Sequence, residues 1–108
     1  LNFNVFADAH GVVLLDWGAS LYGDFLYDAA LLTFWWPWYR KWDAIDIRAE
    51  LEQHHMRAGT RLPRFAERLR CYEVHIGVGH IAYQVGRGRI ENARWTARHT
   101  VEVANAPL

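Results

Sequence analysis

Apolar and polar positions along the chain alternate between two short β-like runs and a series of helical stripes. Leu1–Ala7 and Val12–Leu15 are apolar runs separated by the turn-forming Asp8-Ala9-His10-Gly11, which predicts a β-hairpin. Val12-Val13-Leu14-Leu15 reads as a short buried strand that stops abruptly on Asp16-Trp17-Gly18, with Gly18 allowing a sharp turn. After a connector at Ala19–Tyr22, Gly23-Asp24 opens a helix from about Phe25 to Trp36. Asp24 is its N-cap, and Leu26, Ala29, Ala30 and Phe34 face inward. Pro37 marks a bend, and a second helix is predicted from Trp38 to about Arg57 with Trp42, Ile45, Ala49 and Met56 on its apolar side.

Gly59 ends that helix and Pro63 starts the next, so residues 58–63 form a loop. Phe65, Leu69, Tyr72, Ile76 and Val85 make a long stripe, widened by Val74, Ile81 and Ala82 and closed by Gly86-Arg87-Gly88. Gly77 and Gly79 lie inside it. Each costs about 1 kcal/mol against Ala in a helix, so they predict a close helix approach or a kink. A last helix from about Glu91 to Ala104 offers Ala93, Trp95, Ala97, Val101 and Ala104 as contacts. The expected fold is mainly α with a short β-hairpin at the N-terminus: hairpin over 1–18, helical part over 24–108.

Composition narrows the function classes. An apolar content of 52% excludes disorder, and zero formal net charge removes any general pull toward nucleic acid or an anionic membrane. Aromatic residues make up 15%, with six tryptophans, which points to a pocket or a partner surface. A single cysteine, Cys71, cannot form an internal disulfide. With no signal peptide and no apolar run long enough to span a bilayer, a cytoplasmic location is expected.

Candidate chemistry starts at Asp16. A carboxylate closing an apolar strand needs a cation, a metal or several donors, unless it caps the following turn. Antiparallel pairing brings Asn4, at the start of one strand, to the same edge as Asp16, at the end of the other. Amide plus carboxylate oxygen is the ligand pair that nucleotide-borne Mg²⁺ prefers. Asp43, Asp46 and Glu50 are spaced to share one helix face, either as a solvated surface or as a wall for a cationic substrate. Asp28 stands in the first turn of its helix, where it complements the dipole. His54-His55 lacks a third ligand at metal spacing, His75 and His80 read as partly buried helix residues, and the arginines between 57 and 70 are interleaved with acids.

Three blocks in order, Asn4-Val5-Phe6, Leu14-Leu15-Asp16-Trp17-Gly18 and Gly23-Asp24-Phe25-Leu26-Tyr27-Asp28-Ala29-Ala30, resemble the C-terminal half of aminoglycoside phosphotransferases and related small-molecule kinases. The family's pattern runs H-G-D-x-x-x-x-N, I-D-W-G, G-D-x-x-Y-D-x-A. Phe34-Trp35-Trp36-Pro37-Trp38 is similar to the F-W-x-P-W segment of hygromycin-B phosphotransferases, and Leu69-Arg70-Cys71-Tyr72 with Ile76-Gly77 resembles a later helix. The resemblance implies the C-terminal helical part of a kinase-like α+β fold. It implies ATP or GTP as co-substrate, Mg²⁺ on Asn4 and Asp16, and Asp28 supporting the catalytic loop. The acceptor would be a hydroxyl of a small molecule such as an aminoglycoside, met by Trp35 and Trp38 beside Asp43, Asp46 and Glu50.

Two departures qualify the match. With the usual spacer to Asn4, the catalytic Asp falls two residues before Leu1, so neither it nor the N-terminal kinase lobe is in this chain, which reads as the C-terminal piece of a longer protein and as inactive by itself. The hairpin is also about one residue tighter than the family pattern. A different class remains open: a non-catalytic helical module binding a ligand or partner through its tryptophans, with no use for Asn4 and Asp16. The residues upstream of Leu1 discriminate the two, since H-G-D there belongs to the enzyme.

Overall fold

The computed structural model describes residues 4–16 and 22–108; Leu1–Phe3, the turn at Gly18 and most of the connector lie outside them. Within this range two strands, β1 (Val5–Ala7) and β2 (Val12–Leu14), precede four helices, α1 (Leu26–Trp35), α2 (Ile47–Arg57), α3 (Phe65–Gly86) and α4 (Ile90–Asn105). The protein is thus mostly helical with an antiparallel hairpin near its start. Val5 pairs with Leu14, Phe6 with Val13 and Ala7 with Val12. Asp8 makes the turn, its Oδ1 accepting the amides of His10 at 2.7 Å and Gly11 at 3.0 Å.

The strands are not buried as the apolar run predicts. Phe6 is 61% exposed and Val12, Val13 and Leu15 are also open to solvent. A two-stranded sheet has two faces, and apolar composition alone does not supply a layer to cover them.

The core lies where α1 crosses α3. Leu26, Ala29, Ala30 and Phe34 are the inward face of α1, as their spacing predicts, and they pack with Phe65, Leu69 and Ile76. Between α1 and α2 the predicted continuous helix does not form. Two 3-10 turns, Trp36–Trp38 and Arg40–Trp42, occupy that stretch, and α2 begins only at Ile47. Pro37 has no amide to donate. The Trp36 indole N–H donates to the carbonyls of Trp42 (3.3 Å) and Ile45 (3.0 Å), and its ring stacks on Trp42 at 4.7 Å. The Ala49 amide, which a longer helix would send to Ile45, instead donates to the Asp46 carboxylate at 3.1 Å. Ile45 and Met56, expected on an apolar side, are exposed.

Glycine endings are as predicted. Gly59 and Gly88 take φ of 70° and 69°, and the amides that follow, Thr60 and Arg89, reach back to the carbonyls of His55 and Gln84. The α3–α4 contact differs from its predicted stripe. Val85, Val101, Ala82 and Ala104 point outward, whereas Glu73, Gln84, Thr96 and Thr100 are buried. Thr96 Oγ1 donates to Gln84 Oε1 at 2.9 Å and Thr100 Oγ1 to the Thr96 carbonyl at 2.7 Å, so these buried groups are satisfied.

Gly77 is the predicted close approach. A Cβ there would lie 2.1 Å from Thr100 Oγ1 and 3.0 Å from Phe34 Cζ, while one at Gly79 would meet nothing within 4 Å. Gly77→Ala is therefore expected to destabilise the protein by about 1–3 kcal/mol, in the range of overpacked cores, and Gly79→Ala to be neutral or stabilising. Urea denaturation of both variants checks this; equal stabilities would remove the packing argument.

Candidate functional site

The hairpin sets the first pair of candidates. The Leu15 amide donates to the Asn4 carbonyl at 2.8 Å, so Asn4 lies opposite Leu15 and next to Asp16 at one end of the ladder. Both residues are exposed. Asp16 has φ of 61°, a left-handed conformation that Asp tolerates better than most residues, at a cost of about 1–2 kcal/mol. That conformation ends the extended run at Leu15. No side-chain hydrogen bond engages the Asp16 carboxylate among the described residues. The donor set of one amide and one carboxylate suits a hard divalent cation that keeps water and phosphate oxygens as its other ligands. No cluster of three or more His, Cys, Asp or Glu gathers among the described residues, so nothing here resembles an all-protein metal cage.

A second constellation links the start of α1 to α3. Asp24 Oδ1 accepts the Leu26 amide at 3.1 Å, the capping contact expected of it, although Phe25 rather than Asp24 occupies the cap position. Its other oxygen receives Arg68 Nη2 and, at 3.3 Å, the Tyr72 hydroxyl. Desolvation opposes ionisation of Asp24, but hydrogen bonds from Arg68 and Leu26 and the Arg68 charge outweigh it, and the carboxyl titrates below its ordinary 3.8. Desolvation and then the Asp24 charge push the Tyr72 phenol above its ordinary 10. Capping was legible in the sequence. Arg68 and Tyr72 carried no signal of the pairing, being 44 and 48 residues away.

A third group was missed altogether. Glu73 is 1% exposed, accepting Thr33 Oγ1 at 2.7 Å and Arg48 Nη2 at 2.9 Å on both oxygens. Its only sequence signal is position: Glu73 falls four residues after Leu69 and three before Ile76, on the buried stripe of α3.

The remaining candidates separate. Asp28 is in the first turn of α1, exposed, with no side-chain partner among the described residues. Asp43, Asp46 and Glu50 do not share a helix face: Asp43 ends a 3-10 turn, Asp46 caps α2 and Glu50 lies in its first turn. The late start of α2 is the reason. Trp35 and Trp38 come together with Trp95 of α4. Trp35 stacks on Trp95 at 5.8 Å, Trp38 meets it edge-on at 4.8 Å, and His80 and His99 lie at 5.0 Å from Trp35 and 4.9 Å from Trp95. His99 Nε2 also donates to the Phe34 carbonyl at 3.0 Å, fixing the end of α1 to α4. Trp38 keeps 42% of its surface exposed.

Against this geometry the comparison with known proteins is informative. The chain is similar to hygromycin-B 4-O-kinase from Escherichia coli. Identity is 30% over 84 residues, covering 76% of this chain and 22% of that relative, so the chain spans about a fifth of the relative's length. No family model matches, and no solved structure does. The likeness is to a kinase. No helix among the described residues is long and apolar enough to cross a membrane.

The Asp24 cluster yields a pH prediction. A carboxyl whose folded pKa lies below its unfolded one stabilises above about pH 4, and that stability is lost as pH falls through the folded value. Tyr72, raised on folding, stabilises below about pH 10, and that contribution is lost as pH rises past it. Unfolding free energies of wild type and Asp24→Asn should thus differ most between these limits and converge in acid. Tyr72→Phe should lose the alkaline limb. Parallel curves from pH 2 to 11 would refute the linkage.

Proposed function

We propose that this chain is the C-terminal, mainly helical portion of an ATP- or GTP-dependent phosphotransferase that phosphorylates a hydroxyl of a small molecule, an aminoglycoside being the leading class. The observation that supports the reading is the antiparallel hairpin, which carries Asn4 and Asp16 at the same end of its ladder. Similarity to a hygromycin kinase supports it. Phosphoryl transfer asks a protein for alignment and charge stabilisation more than for covalent chemistry. Asn4 and Asp16 would hold Mg²⁺, which when bound neutralises phosphate charge. Asp16 itself is exposed, one residue past Leu15, in a left-handed conformation. The Asp24–Arg68–Tyr72 cluster fastens the start of α1 to α3. Asp28 is assigned to supporting the catalytic loop, with the orienting Asp and nucleotide lobe upstream of Leu1 in the same protein and the compartment cytoplasmic.

In the protein carrying those upstream parts, Asp16→Asn should lower phosphate transfer by at least about 100-fold with little change in melting temperature, since it keeps shape and removes the charge. Asn4→Ala should act in the same direction less severely. Turnover at wild-type rate in saturating Mg²⁺ would sink the assignment.

For the acceptor, we assign the exposed edge of Trp38, packed on Trp95, as a platform for sugar C–H faces or cationic amines, with Trp35 buttressing it. Trp38→Ala is expected to raise KM for the acceptor several-fold more than KM for the nucleotide. A large fall in melting temperature with unchanged acceptor KM would show that the ring only seals the α1–α4 junction. The second reading, a non-catalytic binding module, rests on the same tryptophan cluster and requires Asp16→Asn to be silent in ligand binding.

A further inference from the structure

Helix α3 meets its neighbours tightly at Gly77, but at Gly79 a cleft of about 290 Å³ opens beside it, lined by Tyr27 of α1 and by His75, Ile76, Gly79, His80 and Tyr83 of α3. Its floor is the buried Ile76 and the bare backbone of Gly79, where a Cβ would meet nothing within 4 Å. Its walls are rings held by other rings. Tyr27 packs edge-on against Tyr72 at 5.8 Å, and the Tyr72 hydroxyl is tied to Asp24. His80 packs edge-on against Trp35 at 5.0 Å. Such contacts set both rings in place before a ligand arrives, which lowers the cost of binding one.

The lining selects among ligands by charge, direction and size. None of its side chains is an acid, a lysine or an arginine, so a charged group placed there would lose water without meeting a counter-ion. Arg87 adds positive charge against the Tyr83 ring, 5.0 Å from its centre, which turns cations away and separates this cleft from the Trp38 platform. His80 supplies direction. Its Nδ1 is 3.0 Å from the Ile76 carbonyl oxygen, which can only accept, so in the neutral ring Nδ1 carries the proton and Nε2 is left as an acceptor. His75 is the one other imidazole in the lining, and no group of three His, Cys, Asp or Glu gathers among the described residues, so the pair falls short of a metal site. A cavity of about 150 Å³ holds a benzene ring, and one of about 290 Å³ admits two fused rings. We infer that this cleft binds an uncharged, planar, bicyclic aromatic molecule, which stacks on its rings and donates one N–H or O–H to His80 Nε2. Charge alone distinguishes this ligand from a nucleotide or an aminoglycoside, and the inference stands on the cleft independently of the phosphotransferase reading.

Indole is the probe, being two fused rings with a single N–H, and N-methylindole is its match without the donor. With the protein as its gene encodes it, ligand-observed NMR titration should show saturable indole binding with a Kd below about 1 mM. N-methylindole should bind at least about tenfold more weakly, because the His80 acceptor is then left unmet. Gly79→Leu fills the open floor and should abolish indole binding, with melting temperature unchanged or raised. His80→Phe keeps a ring against Trp35 and should remove the preference for indole over N-methylindole. Absence of saturable binding up to about 5 mM indole would overturn the inference. Equal affinity for the two indoles would do the same, as would tighter binding of tryptamine, which adds a cation. Indole binding that survives Gly79→Leu would place the probe elsewhere on the protein and overturn it too.

Discussion

A buried carboxylate, Glu73, fixes how three helices meet. Thr33 of α1 donates to one of its oxygens and Arg48 of α2 spans both, while Glu73 itself belongs to α3. Desolvating a carboxylate costs several kcal/mol unless its lone pairs are filled and its charge is met, and Thr33 and Arg48 together meet both needs here. Arg48 remains half exposed, which moderates both the desolvation cost and the strength of the pair. Helix α2 has no buried residue of its own; Leu51 packs partly on the core, and Arg48 supplies the polar tie. Removing Arg48 strands the buried Glu73 carboxylate, a loss of up to about 3–5 kcal/mol for a fully buried pair and less here, where Arg48 is half exposed. The position of α2 relative to the core thus depends on an ion pair more than on hydrophobic burial.

The same economy of apolar contact marks the α3–α4 junction. Gly77 lets Thr100 and Phe34 approach at distances that any side chain would block. Threonine and glutamine hydroxyl and amide groups then satisfy one another in the dry interval. Tryptophans join α4 to the end of α1: Trp95 meets Trp35 and Trp38, and the His99 imidazole caps a carbonyl at the end of α1. Small polar residues toward α3 and indoles toward α1 thus give α4 two differently built contacts.

How much of this was legible follows from what periodicity measures. Turn residues and helix stops are local, so Asp8–Gly11, Gly59 and Gly88 could be read directly, and the inward face of α1 emerged from its spacing. Periodicity finds apolar faces but not what covers them. Val85, Ala82, Val101 and Ala104 were read as contacts because they are apolar, while the true α3–α4 contact uses Thr96, Thr100 and Gln84. Helix α2 was started nine residues early because nothing local announces that the Trp36 indole will take the Ile45 carbonyl. At the candidate site, the hairpin that carries Asn4 and Asp16 was legible because strand pairing follows from the turn. The links from Asp24 to Arg68 and Tyr72, and from Glu73 to Arg48, were not, since each joins residues distant in sequence whose types are common on helix surfaces.

The geometry at the hairpin end raises a question of rigidity. Three paired positions per strand make a ladder that is marginal in water by itself, yet Asp16 is held at φ of 61° beyond its end. A left-handed non-glycine residue persists where its surroundings over-determine it, and such residues concentrate at sites where a side chain must be aimed. Within the described residues the ladder supplies the Leu15–Asn4 hydrogen bond and little else to impose that conformation. Apolar side chains on both faces of the hairpin would gain about 25 cal/mol per Å² when covered, enough over a few residues to hold a strained aspartate of about 1–2 kcal/mol. Covering the hairpin and holding Asp16 in its left-handed conformation are then coupled, because the apolar area of the strands is the largest reserve of free energy beside that residue.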